Sequence, residues 1–409
     1  MSWYPTAYND ITSGDSLTEQ WLRKERLLRP REIVFIWENF GPYHHDRCEA
    51  MAAALGQSWK VYGIELVEHH QEYGWETASG VGFIKETLFV GATGSRVPFV
   101  RRLWATLRAC TRHPNAEFFL CHYENLATLL LAGLLRCTGR RVHFMGNSKF
   151  DDYKRRMPRE IGKSLFLLPY CGFLTSSKRS SQYLRFLGVP KKRIRIGYNS
   201  VSIDRIRRMA GLPPAPGGTP FAQRHFTIIA RLIPKKNLAM ALEAYALYAQ
   251  SVDHPRPLYL CGSGALEADL RAQAQRLAIE PQIEFRGWLQ AEDICRTLGT
   301  TLALLLPSIE EQYGNVVIEA QAMGLPIILS ENCGARDYLV RSGVNGFVIE
   351  PDNPKGLAYL MRLLCQDQSL WTGMANASCE TAVHGDVQVF TEAIRGLIGL
   401  EPAAVTLSA

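Results

Sequence analysis

The chain alternates short apolar runs with helix-like segments along almost its whole length. Apolar runs predict strands at 33–37, 60–66, 117–121, 141–144, 172–175 and 194–196, and again at 226–230, 258–261, 283–285, 302–306 and 326–330. Helix-like segments, such as 45–55 and 126–137, separate them. Strands that alternate with helices form parallel sheets, because each helix returns the chain to the end where the last strand began. We therefore predict an α/β protein.

One segment rich in proline and glycine interrupts this pattern. Positions 211–220 read GLPPAPGGTP, a composition that disfavours both helix and strand. A chain of 409 residues also exceeds one ordinary hydrophobic core. We predict two Rossmann-like domains that face each other across a cleft. Their bounds are 1–210, with a short helix at 17–28 in an N-terminal extension, and 221–384, joined by a linker at 211–220 and followed by a C-terminal segment at 385–409.

The charge is unevenly distributed. The net charge is +7, and residues 1–205 carry +11 while the remainder carries −4. Basic clusters lie at 101–112 and 154–163. This asymmetry predicts an anionic partner for the first half, either an anionic membrane surface or a lipid acceptor, and a solvated basic face is the equally weighted alternative. The sequence shows no nucleic-acid binding module, so we expect no nucleic-acid partner.

The apolar segments and cysteines predict a location. The longest strongly apolar stretch, 126–135, is half the length of a membrane span. The N-terminus shows no secretion signal, and the ten cysteines include no C-x-x-C pair. We expect a cytoplasmic protein, with peripheral contact to the cytoplasmic face of the membrane as a further expectation.

The stretch 307–326 carries the strongest candidate site. It follows a predicted strand and leads into a helix, and Gly314 allows a tight turn before that helix. The amides of Asn315 and Val316 would then face a phosphate. A carboxylate beyond such a phosphate site suits ribose hydroxyls, which assigns Glu319 to the ribose and leaves Glu311 for the donor sugar.

Two further turns follow predicted strands in the second half. Arg231 and Lys236 straddle the first, where their charges would neutralise a diphosphate; a solvated basic turn is the alternative. Gly262 and Gly264 lie in the second, where glycines permit close approach of a nucleotide, although a lone G-x-G pattern is weak.

Together these residues resemble the family-4 retaining glycosyltransferases of the glycosyltransferase B fold. The likeness runs from about 226 to 351 and covers the Arg-Leu-x-Pro-x-Lys turn, the Gly-x-Gly turn and an E-x7-E element that includes Tyr313. The resemblance implies a donor domain in the second half and an acceptor domain in the first, with a last helix, 387–400, that crosses back to the first domain. It implies diphosphate binding by Arg231 and Lys236, sugar contact by Glu311, and retention at the anomeric carbon.

The likeness is weaker in the first half. His122 follows a predicted strand where the family places a histidine that faces the reacting sugar, so it is the catalytic candidate there; a structural histidine is the alternative. The loop 39–47 corresponds to the family's glycine-rich first loop, but Gly41 stands alone where the family has a pair. Residues 198–201 read YNSV where the family commonly reads Asn-Gly-Val-Asp.

These observations predict transfer of a sugar from a UDP- or GDP-sugar to a hydroxyl of a glycan or lipid-linked glycan. No D-x-D triplet occurs in the sequence, so we expect no metal and no other cofactor. A sugar-nucleotide epimerase and a non-catalytic sugar-nucleotide-binding protein are the alternatives. A nicotinamide oxidoreductase fits less well, because Glu267 stands where G-x-G-x-x-G needs its third glycine.

Overall fold

A computed structural model describes residues 31–69, 82–93, 97–121, 125–152 and 154–400. Within these residues the strands form two sheets in which every pair is parallel, as the α/β prediction requires. The first sheet has the order β3-β2-β1-β4-β5-β6-β7, and the second has the order β10-β9-β8-β11-β12-β13. The helix expected at 17–28 and the residues after 400 lie outside the described residues.

The bounds of the elements are as follows. The strands are β1 Arg31–Trp37, β2 Trp59–His69, β3 Ile84–Thr93, β4 Ala116–Leu120, β5 Arg141–Gly146, β6 Gly172–Thr175, β7 Ile194–Ile196, β8 His225–Ile229, β9 Leu258–Cys261, β10 Ile283–Gly287, β11 Thr301–Leu306, β12 Ile327–Ser330 and β13 Gly346–Ile349. The helices are α1 Pro42–Leu55, α2 Phe99–Thr111, α3 Leu126–Cys137, α4 Met157–Phe166, α5 Lys178–Phe186, α6 Ile203–Ala210, α7 Leu238–Ala249, α8 Glu267–Arg276, α9 Ala291–Gly299, α10 Val316–Ala322, α11 Arg336–Leu339, α12 Pro354–Gln366, α13 Gln368–Thr381 and α14 Val387–Ile398.

Each predicted strand is present, but the sequence analysis missed β3 and β13. Both strands lie at the edge of a sheet and pair with one neighbour. An edge strand keeps one side in contact with solvent, so β3 carries polar residues and lacks the continuous apolar pattern that marks buried strands. By contrast, every residue of the central strand β11 is buried.

No helix in the part of the chain that the structure describes has the length and apolar character needed to cross a membrane.

The chain passes from the first sheet to the second between β7 and α6, because α6 packs on α9 and α10 of the second domain. It returns beside this crossing: Val201 donates its amide to the Gly385 carbonyl at 3.0 Å and accepts a bond from the Val387 amide at 3.1 Å. After the return, α14 packs on α1, β6 and β7. The segment 211–220 lies against the second domain, where the Ala215 amide donates to the Met323 carbonyl.

A buried ion pair fixes the start of α6 to α1. Asp46 accepts two bonds from the Arg205 guanidinium, at 2.6 and 2.7 Å, and a third from the Ser202 amide at 2.9 Å. The Asp46 side chain is 3% exposed. Hydrogen bonds therefore satisfy this carboxylate fully, which a buried charge requires.

We predict that Asp46→Ala lowers the free energy of unfolding by about 3–5 kcal/mol, because it leaves Arg205 charged and buried without its partner. The control is Glu292→Ala, which removes the exposed partner of Arg296 and should cost less than about 1 kcal/mol. Chemical denaturation monitored by circular dichroism measures both variants. Equal stability of the two would contradict this role for Asp46.

Candidate functional site

A cleft with a volume of about 860 Å³ lies between the two sheets. The central strands β1 and β8 both point their carboxyl ends into it, and the residues that follow them, Glu38 and Ala230, line its walls. This is where open parallel sheets bind ligands, because the chain diverges there to either side of the central strand. The volume is typical of a small-molecule site.

Gly314, Asn315 and Val316 form one wall of the cleft at the start of α10. Gly314 has φ +97°, a conformation that favours glycine. The Val317 amide donates to the Gly314 carbonyl and the Ile318 amide to the Asn315 carbonyl. Among the described residues, no protein group accepts a hydrogen bond from the amides of Asn315 and Val316. These two amides can therefore donate to a phosphate oxygen.

Glu319 also lines the cleft, but a residue of the first domain already contacts it. The Tyr43 hydroxyl donates to Glu319 Oε1 at 2.8 Å, although 276 residues separate the two in sequence. Burial raises the pKa of Glu319, and the hydrogen bond from Tyr43 partly opposes this rise. Burial and the nearby Glu319 charge raise the pKa of Tyr43 well above its usual value. A ribose hydroxyl at Glu319 would share the carboxylate with Tyr43.

Lys236 and Glu311, predicted to bind the diphosphate and the donor sugar, form an ion pair. The pair lines the cleft, and its side chains are 13% and 15% exposed. Arg231 lines the cleft as well. The structure thus brings the candidates from two separate turns into one site, in which a diphosphate would compete with Glu311 for Lys236.

Close backbone packing requires glycine at positions 262 and 264. A Cβ on Gly262 would lie 1.9 Å from the Ala230 carbonyl oxygen, and a Cβ on Gly264 would lie 2.5 Å from the Leu232 carbonyl oxygen. These distances are far below van der Waals contact. The glycines therefore let this turn pack against the turn after β8, and Gly262 lines the cleft as a consequence.

The first domain contributes the opposite wall. The Gly41 amide donates to His44 Nδ1 at 2.9 Å, so the single glycine of this loop is engaged within the loop itself. His122 lies outside the described residues. Asn199 donates to the Asn315 side chain at 2.9 Å across the cleft.

Two residues of α1, Tyr43 and Arg47, line the cleft and were not singled out from the sequence. Both lie in the segment 39–47, which the sequence marks by its single glycine and by its crowding with histidine and tyrosine, without assigning a role to either residue. No spacing or motif marks either residue, because each acquires its position through contacts with distant parts of the chain.

Among the described residues, no group of three or more His, Cys, Asp or Glu side chains is arranged to hold a metal ion.

The comparisons with known proteins agree with this geometry. Residues 218–380 match the family model described as glycosyl transferases group 1. The second half of the chain therefore contains a glycosyltransferase group 1 domain. The match includes Arg231, Lys236, Glu311 and Glu319.

Relatives and solved structures extend the likeness. The chain is 25% identical over 238 residues to a D-inositol 3-phosphate glycosyltransferase of Streptomyces avermitilis, covering 54% of this chain and 51% of that protein. It is 25% identical over 213 residues to the lipopolysaccharide core biosynthesis glycosyltransferase LpsE of Rhizobium meliloti, covering 52% and 59%. The matched part thus spans little more than half the length of these relatives.

The crystal structure of Anabaena HepE in complex with UDP and glucose aligns with a TM-score of 0.66 at 16% identity, covering 90% of this chain and 99% of that one. The protein therefore has the glycosyltransferase B fold, as predicted.

We predict that Gly262→Ala destabilises the protein by about 2–4 kcal/mol, because its Cβ meets the Ala230 carbonyl and its φ is +144°. Gly287→Ala is the matched control: it also has a positive φ, +65°, but its Cβ meets no atom within 4 Å. The control should cost about 1 kcal/mol. Thermal unfolding of both variants tests this, and a Gly262→Ala protein as stable as the control would refute the packing role.

Proposed function

We propose that this protein is a retaining, metal-independent glycosyltransferase. In this proposal it moves a sugar from a UDP- or GDP-sugar to a hydroxyl of a glycan or lipid-linked glycan. One observation carries the proposal: Lys236, Glu311 and Glu319, with the amides at Asn315, line a single cleft between two Rossmann-like domains. The group 1 glycosyltransferase match supports it.

The donor would bind mainly to the second domain. Arg231, Lys236 and the amides of Asn315 and Val316 would hold the diphosphate and stabilise the charge that develops as it leaves. Glu319 would accept a bond from the ribose, and Glu311 would contact the sugar. The HepE crystal structure contains UDP and glucose, which supports a nucleotide-sugar donor here.

The acceptor would enter from the first domain, to which the sequence-based catalytic candidate His122 belongs. In the transfer step, the bond from the anomeric carbon to the phosphate oxygen breaks, and a bond from that carbon to the acceptor oxygen forms on the same face. The departing phosphate takes the acceptor proton, so the step needs no further reactant. Trapping a covalent glycosyl-enzyme intermediate would contradict this mechanism.

The relative named for lipopolysaccharide core biosynthesis supports a cell-surface glycan acceptor.

Incubation with labelled UDP-, GDP- and ADP-sugars separates this function from its alternatives. We expect release of the nucleoside diphosphate and transfer to an added acceptor. Conversion of the donor to its epimer without release would indicate an epimerase. Binding without turnover would indicate a non-catalytic protein, and tight NAD binding would indicate an oxidoreductase.

We predict that Lys236→Ala lowers kcat about 100-fold, because it removes a cation that stabilises the leaving diphosphate. Glu319→Ala should instead weaken donor binding about 10-fold or more, through loss of a hydrogen bond to a charged group. Lys355→Ala, an exposed lysine on α12, is the control and should match the wild type. Steady-state kinetics with the active donor measures all three variants. Wild-type kinetics of both Lys236→Ala and Glu319→Ala would contradict the placement of these residues in the donor site.

The helix α4 supports peripheral contact with an anionic membrane. Met157, Ile161 and Leu165 lie at four-residue spacing on one face and are 55%, 62% and 61% exposed. Exposed cationic side chains flank them, including Arg156 and Arg159. An apolar stripe with basic neighbours is typical of helices that lie in the headgroup region. Arg159 also lines the cleft, so this contact would place the site beside a lipid-linked acceptor.

We predict that the protein floats with vesicles that contain phosphatidylglycerol and not with vesicles of phosphatidylcholine alone. Ile161→Glu with Leu165→Glu should abolish this binding, because it places two acids in the apolar stripe. Tyr359→Glu alters an apolar residue that is 54% exposed on the second domain and should have no effect. Flotation of the double variant at the wild-type level would exclude α4 as the contact.

A further inference from the structure

Arg47 is a buried cation of the first domain. The residue is 3% exposed, and its Nε donates to the Ser200 carbonyl at 3.2 Å. Its guanidinium lies over the Tyr198 ring, 5.0 Å from the centroid. Among the described residues, no carboxylate lies within ion-pair distance of Arg47, whereas its neighbour in sequence, Asp46, is paired with Arg205.

Burial of this charge is costly when no carboxylate of the described residues lies at ion-pair distance. A buried charge is normally paired, because removal from water penalises the ionised form. Burial lowers the pKa of the Arg47 guanidinium, which reflects this penalty. Arginine nevertheless stays protonated at neutral pH, so a positive charge stays buried at this place with no ion-pair partner among the described residues.

Two hydrogen bonds connect Arg47 to the start of α10. Ser200, which accepts the bond from Arg47, follows Asn199, and Asn199 donates to the Asn315 side chain. Arg47 also lines the same cleft as Lys236 and the residues around Asn315. Arg47 therefore borders the same space as the amides of Asn315 and Val316, which can hold a phosphate.

We propose that Arg47 is a third cationic ligand of the donor diphosphate, supplied by the first domain. This inference rests on the proposed function. Arg231 and Lys236 hold the diphosphate from the second domain, and Arg47 meets it from the other side. The ligand that supplies the missing negative charge also joins the two domains, because it bonds to both walls of the cleft. Arg47 lies in α1, which begins directly after Gly41, and the Gly41 amide donates to His44.

Calorimetric titration with UDP, GDP, uridine and guanosine tests the inference without requiring turnover. Arg47→Met keeps the volume of the side chain and removes its charge. We expect this variant to bind the preferred nucleoside diphosphate about 10- to 100-fold more weakly, the loss for a hydrogen bond to a charged group, and to bind the nucleoside as the wild type does. Arg47→Lys should recover part of the affinity. Arg136→Met, on the exposed face of α3, is the control.

Thermal unfolding separates this role from a structural one. Without nucleotide, Arg47→Met should be at least as stable as the wild type, because the variant no longer buries an unpaired charge. Arg205→Met should be less stable, because it leaves Asp46 unpaired. The inference is overturned if Arg47→Met binds the nucleoside diphosphate as the wild type does, or loses affinity for nucleoside and nucleoside diphosphate equally. If the wild type binds neither diphosphate, the proposed function fails instead.

Discussion

The direction of the central strands determines where the cleft lies and which residues line it. The strands β1 and β8 are the switch points of two parallel sheets, and both end at the same cleft. Because the backbone leaves each strand there, polar side chains and free amides collect at that edge without breaking the hydrogen bonds of the sheet. The apolar cores reach this edge as well, and Trp37, Leu306 and Tyr313 line the cleft beside the polar groups.

Side-chain hydrogen bonds connect the two domains at the cleft. Tyr43 and Glu319, Asn199 and Asn315, and Arg179 and Asp337 each join the two domains. Two of these pairs involve residues that a nucleotide would contact. A donor would therefore bind to groups that already participate in the domain interface, and nucleotide binding and domain closure would share the same hydrogen bonds.

The electrostatics of the cleft are unequal on its two sides. On the second domain Glu311 neutralises Lys236, whereas on the first domain no carboxylate of the described residues lies within ion-pair distance of Arg47. Asp46, one position before Arg47, is held by Arg205 and the Ser202 amide. An anionic group between the walls would offset the charge of Arg47, which is a physical reason for a diphosphate to bind across the cleft and not on one domain alone.

The local sequence pattern predicted much of the fold and part of the candidate site. The alternation of apolar runs with helices predicts the two parallel sheets, and the turns around Arg231 and Gly314 are visible because their residues are close neighbours in sequence. Edge strands such as β3 escaped, since partial exposure removes the apolar pattern. The contact of Tyr43 with Glu319 and the surroundings of Arg47 could not be predicted from the sequence. Both depend on how segments that are distant in sequence are placed against each other, and no local spacing encodes that placement.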